Sequence, residues 1–216
     1  MDTFLNKITI GFIIAVLLIN GFNILQMQQM MSKNTAVYQN TLSSVVGSAA
    51  DQGMKLQEQP LIDILPKGIP RIYGAELGVS YDDVSASNQQ KADVTINKLG
   101  MLDQQIKLSA SEKERYIAIA SQISCEYCCG VESIIFKDGS AACGCQHSFA
   151  MRGLAKYLIE NHPSEFPDEQ ILEELSKWKT LFFPAQMSKK AKVMEAKGIE
   201  LNYINLASNK YKGLEN

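Results

Sequence analysis

From Cys125 to His147 the chain reads CEYCCGVESIIFKDGSAACGCQH. This segment is the most informative part of the sequence for both fold and chemistry. The segment holds all five cysteines of the chain and one of its two histidines. Cysteine and histidine are the usual protein ligands of zinc. Cysteines that only fill a core would be scattered along the chain. We therefore expect a metal or thiol site here.

The first half of the segment has the spacing of a metal knuckle. Cys125 and Cys128 form a C-x-x-C pair, whose two sulfurs can face one centre. Gly130 follows, and glycine lets backbone amides turn toward such a centre. Because Cys128 and Cys129 are adjacent, we expect only one of them to face the same metal.

The second half is predicted to return through a small β-hairpin. Residues 133–136 have strand-like composition, and Asp138-Gly139 is a hairpin-turn signal. In an extended segment alternate side chains leave on the same side. The return arm would then present three more ligands just before a helix, namely Cys143, Cys145 and His147.

Six residues compete for about four ligand positions: Cys125, Cys128, Cys129, Cys143, Cys145 and His147. We expect the set Cys125, Cys128, Cys143 and His147, with Cys145 as the first substitute for Cys143. A closed site of thiolates and imidazole suits structural Zn²⁺. Surplus thiolates also suit Cu(I), and an iron–sulfur cluster on four cysteines stays open.

Two other uses of the cysteines stay open. An exported domain with five cysteines can hold two disulfides and one free thiol, as a disulfide-stapled or filament subunit would. Cys125 and Cys128 can instead be the dithiol of a thiol–disulfide oxidoreductase. Their motif follows a predicted helix, so no helix dipole would lower their pKa. With no catalytic base in view, the sequence argues against an enzyme.

The remaining sequence predicts a mainly α domain. Apolar residues recur with helical spacing from Ala92 to Leu108. Ser109 and Glu112 have the spacing of a capping box, which opens a second helix. Two further helices are predicted over Ser148–Asn161 and from Pro167 to Pro184, and His162 is predicted to cap the end of the first of them.

The N-terminal region is predicted to cross a membrane once. No charged residue occurs between Lys7 and Lys33, and the stretch from Ile8 to Leu25 is densely apolar. A span needs about 20 such residues. The expected organisation is a transmembrane anchor (1–32), a stalk (33–59), a soluble Cys/His-cluster domain (60–187) and a basic C-terminal tail (188–216). The few flanking lysines favour an extracytoplasmic domain.

Charge limits the classes of partner. The 216 residues carry a formal net charge of −2, which offers no electrostatic basis for nucleic-acid binding. We expect the membrane as a partner through the N-terminal helix. We also expect a protein partner or a second copy of the chain.

Several short motifs carry a resemblance: IYG (72–74), CEYCCG (125–130), ACGCQHS (142–148), AMRGL (150–154) and WK (178–179). Over about residues 60–187 the chain is similar to uncharacterised prokaryotic membrane-anchored, cysteine-rich proteins. The resemblance implies that the cysteine segment and its flanking helices form one unit, and it implies no activity. A looser likeness to proteins named for a PCYCGC motif rests on Cys143-Gly144-Cys145. The order of knuckle, hairpin and helix resembles treble-clef zinc modules, whose last two ligands are three residues apart rather than two.

Overall fold

Helices make up most of the structure. The computed structural model describes residues 64–216, and within that range it has seven α-helices and no β-strand. The α-helices are α1 (Tyr73–Leu77), α2 (Gln89–Gln105), α3 (Ala110–Ala120), α4 (Gln146–Asn161), α5 (Asp168–Phe182), α6 (Pro184–Ala196) and α7 (Tyr203–Ala207). Two 3-10 turns cover Tyr81–Asp83 and Asn209–Tyr211. The predicted mainly α class is confirmed.

The signals that begin the helices lie where the sequence places them. The Ser109 hydroxyl accepts from the Glu112 amide, and the Glu112 carboxylate accepts from the Ser109 amide at 2.8 Å. This pair is the predicted capping box, and it satisfies two amides that the first turn of α3 leaves unpaired. Pro167 precedes α5, and Pro184 opens α6, where its missing N–H costs nothing.

The core forms where α4 lies between α2 and α5. Leu99 of α2, Leu154 and Leu158 of α4, and Leu175 and Trp178 of α5 are at most 1% exposed. Burying a large apolar side chain contributes roughly 1.5–3 kcal/mol. This packing fixes the direction of α4, whose first turn enters the cysteine segment.

A glycine permits the closest approach between α2 and α4. A Cβ atom at Gly153 would lie 2.0 Å from the Leu99 carbonyl oxygen and 2.9 Å from the Asp103 amide nitrogen. Both are backbone atoms and cannot swing aside. Any side chain at this position would therefore push the two helices apart.

We expect Gly153→Ala to lower the free energy of unfolding by about 3 kcal/mol, the upper end of the usual cost of overpacking. The intrinsic preference of helices for alanine, about 1 kcal/mol, offsets only part of this. Urea unfolding followed by circular dichroism measures it. Gly144→Ala is the matched control, because a Cβ there meets nothing within 4 Å. Equal stability of the two variants would contradict the close approach.

The predicted β-hairpin forms only as a turn. Within residues 64–216 the segment has one isolated antiparallel bridge, Ile135 with Ala141, around Gly139 at φ +82°. Ile134 and Ile135 are both buried, at 0% and 4% exposed. Successive residues of a strand point to opposite faces. Both sides of this arm are therefore covered. The Phe136 amide donates to the Ser140 carbonyl at 2.8 Å and the Ala142 amide to the Ile134 carbonyl at 3.2 Å, but neither arm extends into a regular strand among the described residues.

The segment 188–216, which the sequence sets apart as a basic tail, packs onto the core. Ala191 and Met194, on one face of α6, are 0% exposed, as is Met187 just before the segment, and Leu206 and Ala207 of α7 are also buried. Lysines on the other positions give this segment its basic composition, whereas the helical period reveals its apolar face. The described residues, 64–216, accordingly belong to one compact unit.

The expected membrane anchor and stalk, at 1–32 and 33–59, lie outside the described residues. Between Ile64 and Asn216, no helix combines the length and the apolar character that crossing a bilayer requires.

Candidate metal centre

The knuckle is built by backbone hydrogen bonds. The amides of Cys128 and Cys129 both donate to the Cys125 carbonyl, at 3.2 and 3.1 Å. Gly130 then takes the left-handed conformation at φ +64°, which glycine adopts without strain. The turn leaves Cys125 buried and Cys128 exposed.

Four ligand-type side chains converge beside this knuckle. Cys125, Cys128, Cys145 and His147 each offer one atom, and these atoms all lie within 4.8 Å of one another. The sulfurs of Cys125 and Cys145 are 3.4 Å apart. Sulfurs bound tetrahedrally to zinc at about 2.3 Å are about 3.8 Å apart. The cluster can therefore hold a metal ion.

Helix α4 supplies two members of this four-residue cluster. Cys145 is the N-cap of α4, and His147 lies in the first helical turn. His147 Nδ1 is buried and has no hydrogen-bond partner among residues 64–216. The ring packs between Phe182 and Phe183, with centroids 4.6 and 5.0 Å away. A ring nitrogen not committed to a hydrogen bond fits a metal ligand.

The other two cysteines form a disulfide, Cys129–Cys143. In the structure Cys145 thus takes the place that the sequence assigns first to Cys143, and Cys129 is the spare cysteine of the adjacent pair. The extended arm expected over residues 143–147 ends at Cys145, because α4 begins at Gln146. Cys145, as the N-cap, and His147, in the first turn of α4, both lie beside the knuckle, while Cys143, two residues before the N-cap, is bonded to Cys129.

Cys145 has the lowest pKa of the thiols in the cluster, chiefly because of the Cys125 thiol beside it. A hydrogen bond with the Cys125 thiol lowers the pKa of Cys145, and burial opposes that effect. The Ser148 amide adds a hydrogen bond at 3.4 Å, and the positive end of the α4 dipole favours a thiolate. The same pairing, with burial, raises the pKa of Cys125. The spacing Cys145-x-x-Ser148 is the sequence signal from which this cap could have been predicted.

Glu126, inside the knuckle, ties it to buried lysines. Its Oε2 accepts from Lys179 Nζ at 2.9 Å, and Lys190 Nζ lies 3.8 Å from its Oε1. Both lysine side chains are 0% exposed. Burial lowers the pKa of Lys179 to about 8, although Glu126 acts in the opposite direction. Lys179 also donates to the Ala207 carbonyl at 2.8 Å, so it links the knuckle to α7.

Arg152 of α4 holds the return arm. Its NH1 donates to the Cys143 carbonyl at 2.9 Å, and its Nε pairs with Asp103 of α2 at 2.8 Å. The side chain is 1% exposed. These contacts position the disulfide against α4. Both Arg152 and Lys179 fall within short motifs that carry the resemblance, AMRGL and WK, but their roles follow only from the contacts in the structure.

His162, the second histidine, is the C-cap residue of α4, as predicted. Its Nε2 lies 2.7 Å from Glu76 Oε2, and it does not belong to the cysteine cluster.

Fold and site together define a helical protein with a Cys/His cluster that can hold a metal, next to a disulfide. A comparison with protein-family models finds no match, and comparisons with curated proteins and with solved structures also find none.

Proposed function

We propose that the chain is a metal-binding protein that holds one Zn²⁺ through Cys125, Cys128, Cys145 and His147. The observation that carries this proposal is the convergence of four ligand atoms within 4.8 Å. Three thiolates and one imidazole are a common structural zinc set. Four protein ligands leave no open position for a substrate, which supports a structural role for the ion rather than catalysis.

The donor set favours zinc over the other metals considered. An iron–sulfur cluster usually takes four cysteines, whereas only three cysteines of this chain are outside the disulfide. Cu(I) prefers soft sulfur donors, and a histidine beside three cysteines makes the cluster less suited to it. Elemental analysis distinguishes bound copper from bound zinc, so the experiment described below also tests copper handling.

Location is part of this proposal. The apolar stretch from Ile8 to Leu25 supports a single membrane anchor. A disulfide between Cys129 and Cys143 supports an oxidising, extracytoplasmic compartment, since such bonds are rare in the cytosol. Zinc would then stiffen a domain displayed at the membrane, where a protein partner or a second copy could bind it.

The test is elemental analysis of the full chain, purified in detergent without added metal. We expect about one equivalent of zinc per chain, the stoichiometry of a single closed site. Thiols titrated under denaturing conditions should number three before reduction and five after it. Copper at the same stoichiometry would instead support a protein that handles a soft metal. A chain that neither carries zinc nor takes it up would contradict the proposal.

A thiol–disulfide oxidoreductase is the second candidate, and one observation favours it. Cys145 opens α4 beside the Cys129–Cys143 disulfide, and helix N-termini are where reactive thiolates occur. The pair expected from the sequence, Cys125 and Cys128, is not joined. Reduction of insulin disulfides by the full chain, abolished in Cys145→Ser, would support this candidate. If insulin reduction with the chain and dithiothreitol were no faster than with dithiothreitol alone, this candidate would be excluded.

A further inference from the structure

Cys145 belongs to two groups of ligand-type side chains. Its sulfur lies within 4.8 Å of the ligand atoms of Cys125, Cys128 and His147, and also within 4.8 Å of the sulfurs of Cys129 and Cys143. The first group is the proposed metal site, and the second contains the disulfide. The Cys145 sulfur thus lies beside both the proposed metal site and an S–S bond, and it can bond to only one of them at a time.

We propose that the metal controls where the disulfide lies: when the metal leaves, Cys145 attacks the Cys129–Cys143 bond and forms Cys143–Cys145. This inference rests on the proposed function, because the metal is what holds the Cys145 sulfur. A thiolate bound to zinc donates its electron pair to the ion and is not free to attack. Metal loss returns that pair to the sulfur.

The exchange needs no outside oxidant or reductant. The Cys145 thiolate forms a bond to the Cys143 sulfur, the Cys129–Cys143 bond breaks, and its electron pair leaves on Cys129 as a thiolate. One disulfide and three free cysteines exist before and after the step. Only the position of the bond changes, from a link between two segments to a link within Cys143-Gly144-Cys145.

Burial selects the sulfur that leaves. Cys129 is exposed, whereas Cys143 is 6% exposed. A thiolate released at Cys129 is stabilised by water, and one released at Cys143 would be a buried charge. A Cβ at Gly144 would meet nothing within 4 Å, so no packed neighbour at that position resists movement of this loop.

The consequence is a reversible lock. With Cys145 in a disulfide, the metal site lacks one of its four ligands and cannot refill until the exchange reverses. Cys128 and Cys129 are then adjacent, free and exposed, so the apo protein displays a vicinal dithiol that the metal-bound protein hides.

Tryptic peptides report the exchange directly. Cleavage after Arg115, Lys137 and Arg152 separates peptide 116–137, with three cysteines, from peptide 138–152, with two. The Cys129–Cys143 bond joins these peptides, whereas a Cys143–Cys145 bond lies within the second. The full chain in detergent would be studied with zinc bound and after stripping with a chelator, without added thiol. Acid quenching, alkylation and mass spectrometry complete the measurement.

With zinc bound we expect the two peptides to be joined. After stripping, we expect the joined fraction to fall at least about fivefold as exchange approaches equilibrium. Peptide 116–137 should then carry three alkyl groups and peptide 138–152 none. Added zinc should restore the joined form. In Cys145→Ser the peptides should stay joined with or without metal.

Other outcomes separate the two proposals. A chain that binds zinc but keeps Cys129–Cys143 after stripping would overturn the exchange and leave the metal site standing. Peptides joined through Cys129–Cys145 would overturn the stated leaving group. A chain that takes up no zinc and has the same peptides in every sample would overturn the proposed function, and the control of the disulfide with it.

Discussion

Replacing His147 by alanine should weaken zinc binding on the order of 100-fold. Structural zinc sites of small proteins bind with roughly 10–16 kcal/mol, so one of four ligands contributes about 3 kcal/mol. Each 1.4 kcal/mol is a tenfold change in affinity. Competition with a chromophoric zinc chelator measures the change. Substitution by Co²⁺ should also show a weaker, shifted d–d spectrum, since the ligand set changes.

The chain contains a matched control for this variant. His162 is its only other histidine, and in the structure it pairs with Glu76 rather than with the cysteine cluster. His162→Ala should leave zinc affinity unchanged within about twofold, because this half-buried pair lies outside the cysteine cluster and its loss affects stability rather than metal binding. Equal zinc affinity of the two alanine variants would show that His147 is not a zinc ligand.

The same assay decides between Cys143 and Cys145. The double variant Cys129→Ser/Cys143→Ser lacks the disulfide but keeps all four clustered residues, so we expect it to retain about one zinc. Cys145→Ser should weaken zinc binding as His147→Ala does. The opposite pattern would restore the ligand set first expected from the sequence.

Lys179→Met should lower the free energy of unfolding by about 3–5 kcal/mol, the usual cost of removing one partner of a buried ion pair. Lys179 is 0% exposed and Glu126 is 6% exposed. The change leaves the Glu126 carboxylate without its hydrogen-bonding cation and the Ala207 carbonyl without its donor. Urea unfolding of the zinc-loaded chain measures the loss.

Lys190→Met is the control for this prediction. Its Nζ is buried but has no hydrogen-bond partner among the described residues, and it lies 3.8 Å from Glu126. Replacing a buried charge of this kind by an apolar side chain should cost at most about 1 kcal/mol. A Lys179→Met variant no less stable than Lys190→Met would show that the Glu126 contact contributes little.

The helical class and several helix boundaries followed from local sequence. Ser109 and Glu112 form a capping box through contacts three residues apart, so distant residues have little influence on it. The hairpin prediction failed for a tertiary reason. Ile134 and Ile135 are both buried by the rest of the domain, and because strand formation depends on such packing, β-branched composition alone cannot show whether the two arms extend into strands.

The C-terminal segment illustrates a limit of composition. Its lysines suggested a solvated helix end, yet Ala191 and Met194 lie on a buried face of α6. Lys190, on the same helix, is buried as well. The net charge of a helix counts every charged residue that it carries. The burial of one residue depends instead on whether it lies on the face that neighbouring elements cover.

By itself the sequence determined that the ligand-type residues lie in one segment and that Cys125 and Cys128 form a knuckle, because these features depend on spacing along the chain. Only the tertiary structure decided that Cys145, rather than Cys143, joins them. That choice depends on where α4 begins relative to the knuckle. The close contact of Gly153 with α2 and the ion pair between Arg152 and Asp103 hold α4 in that place. Both contacts join residues far apart in the chain, so spacing within the cysteine segment cannot reveal them.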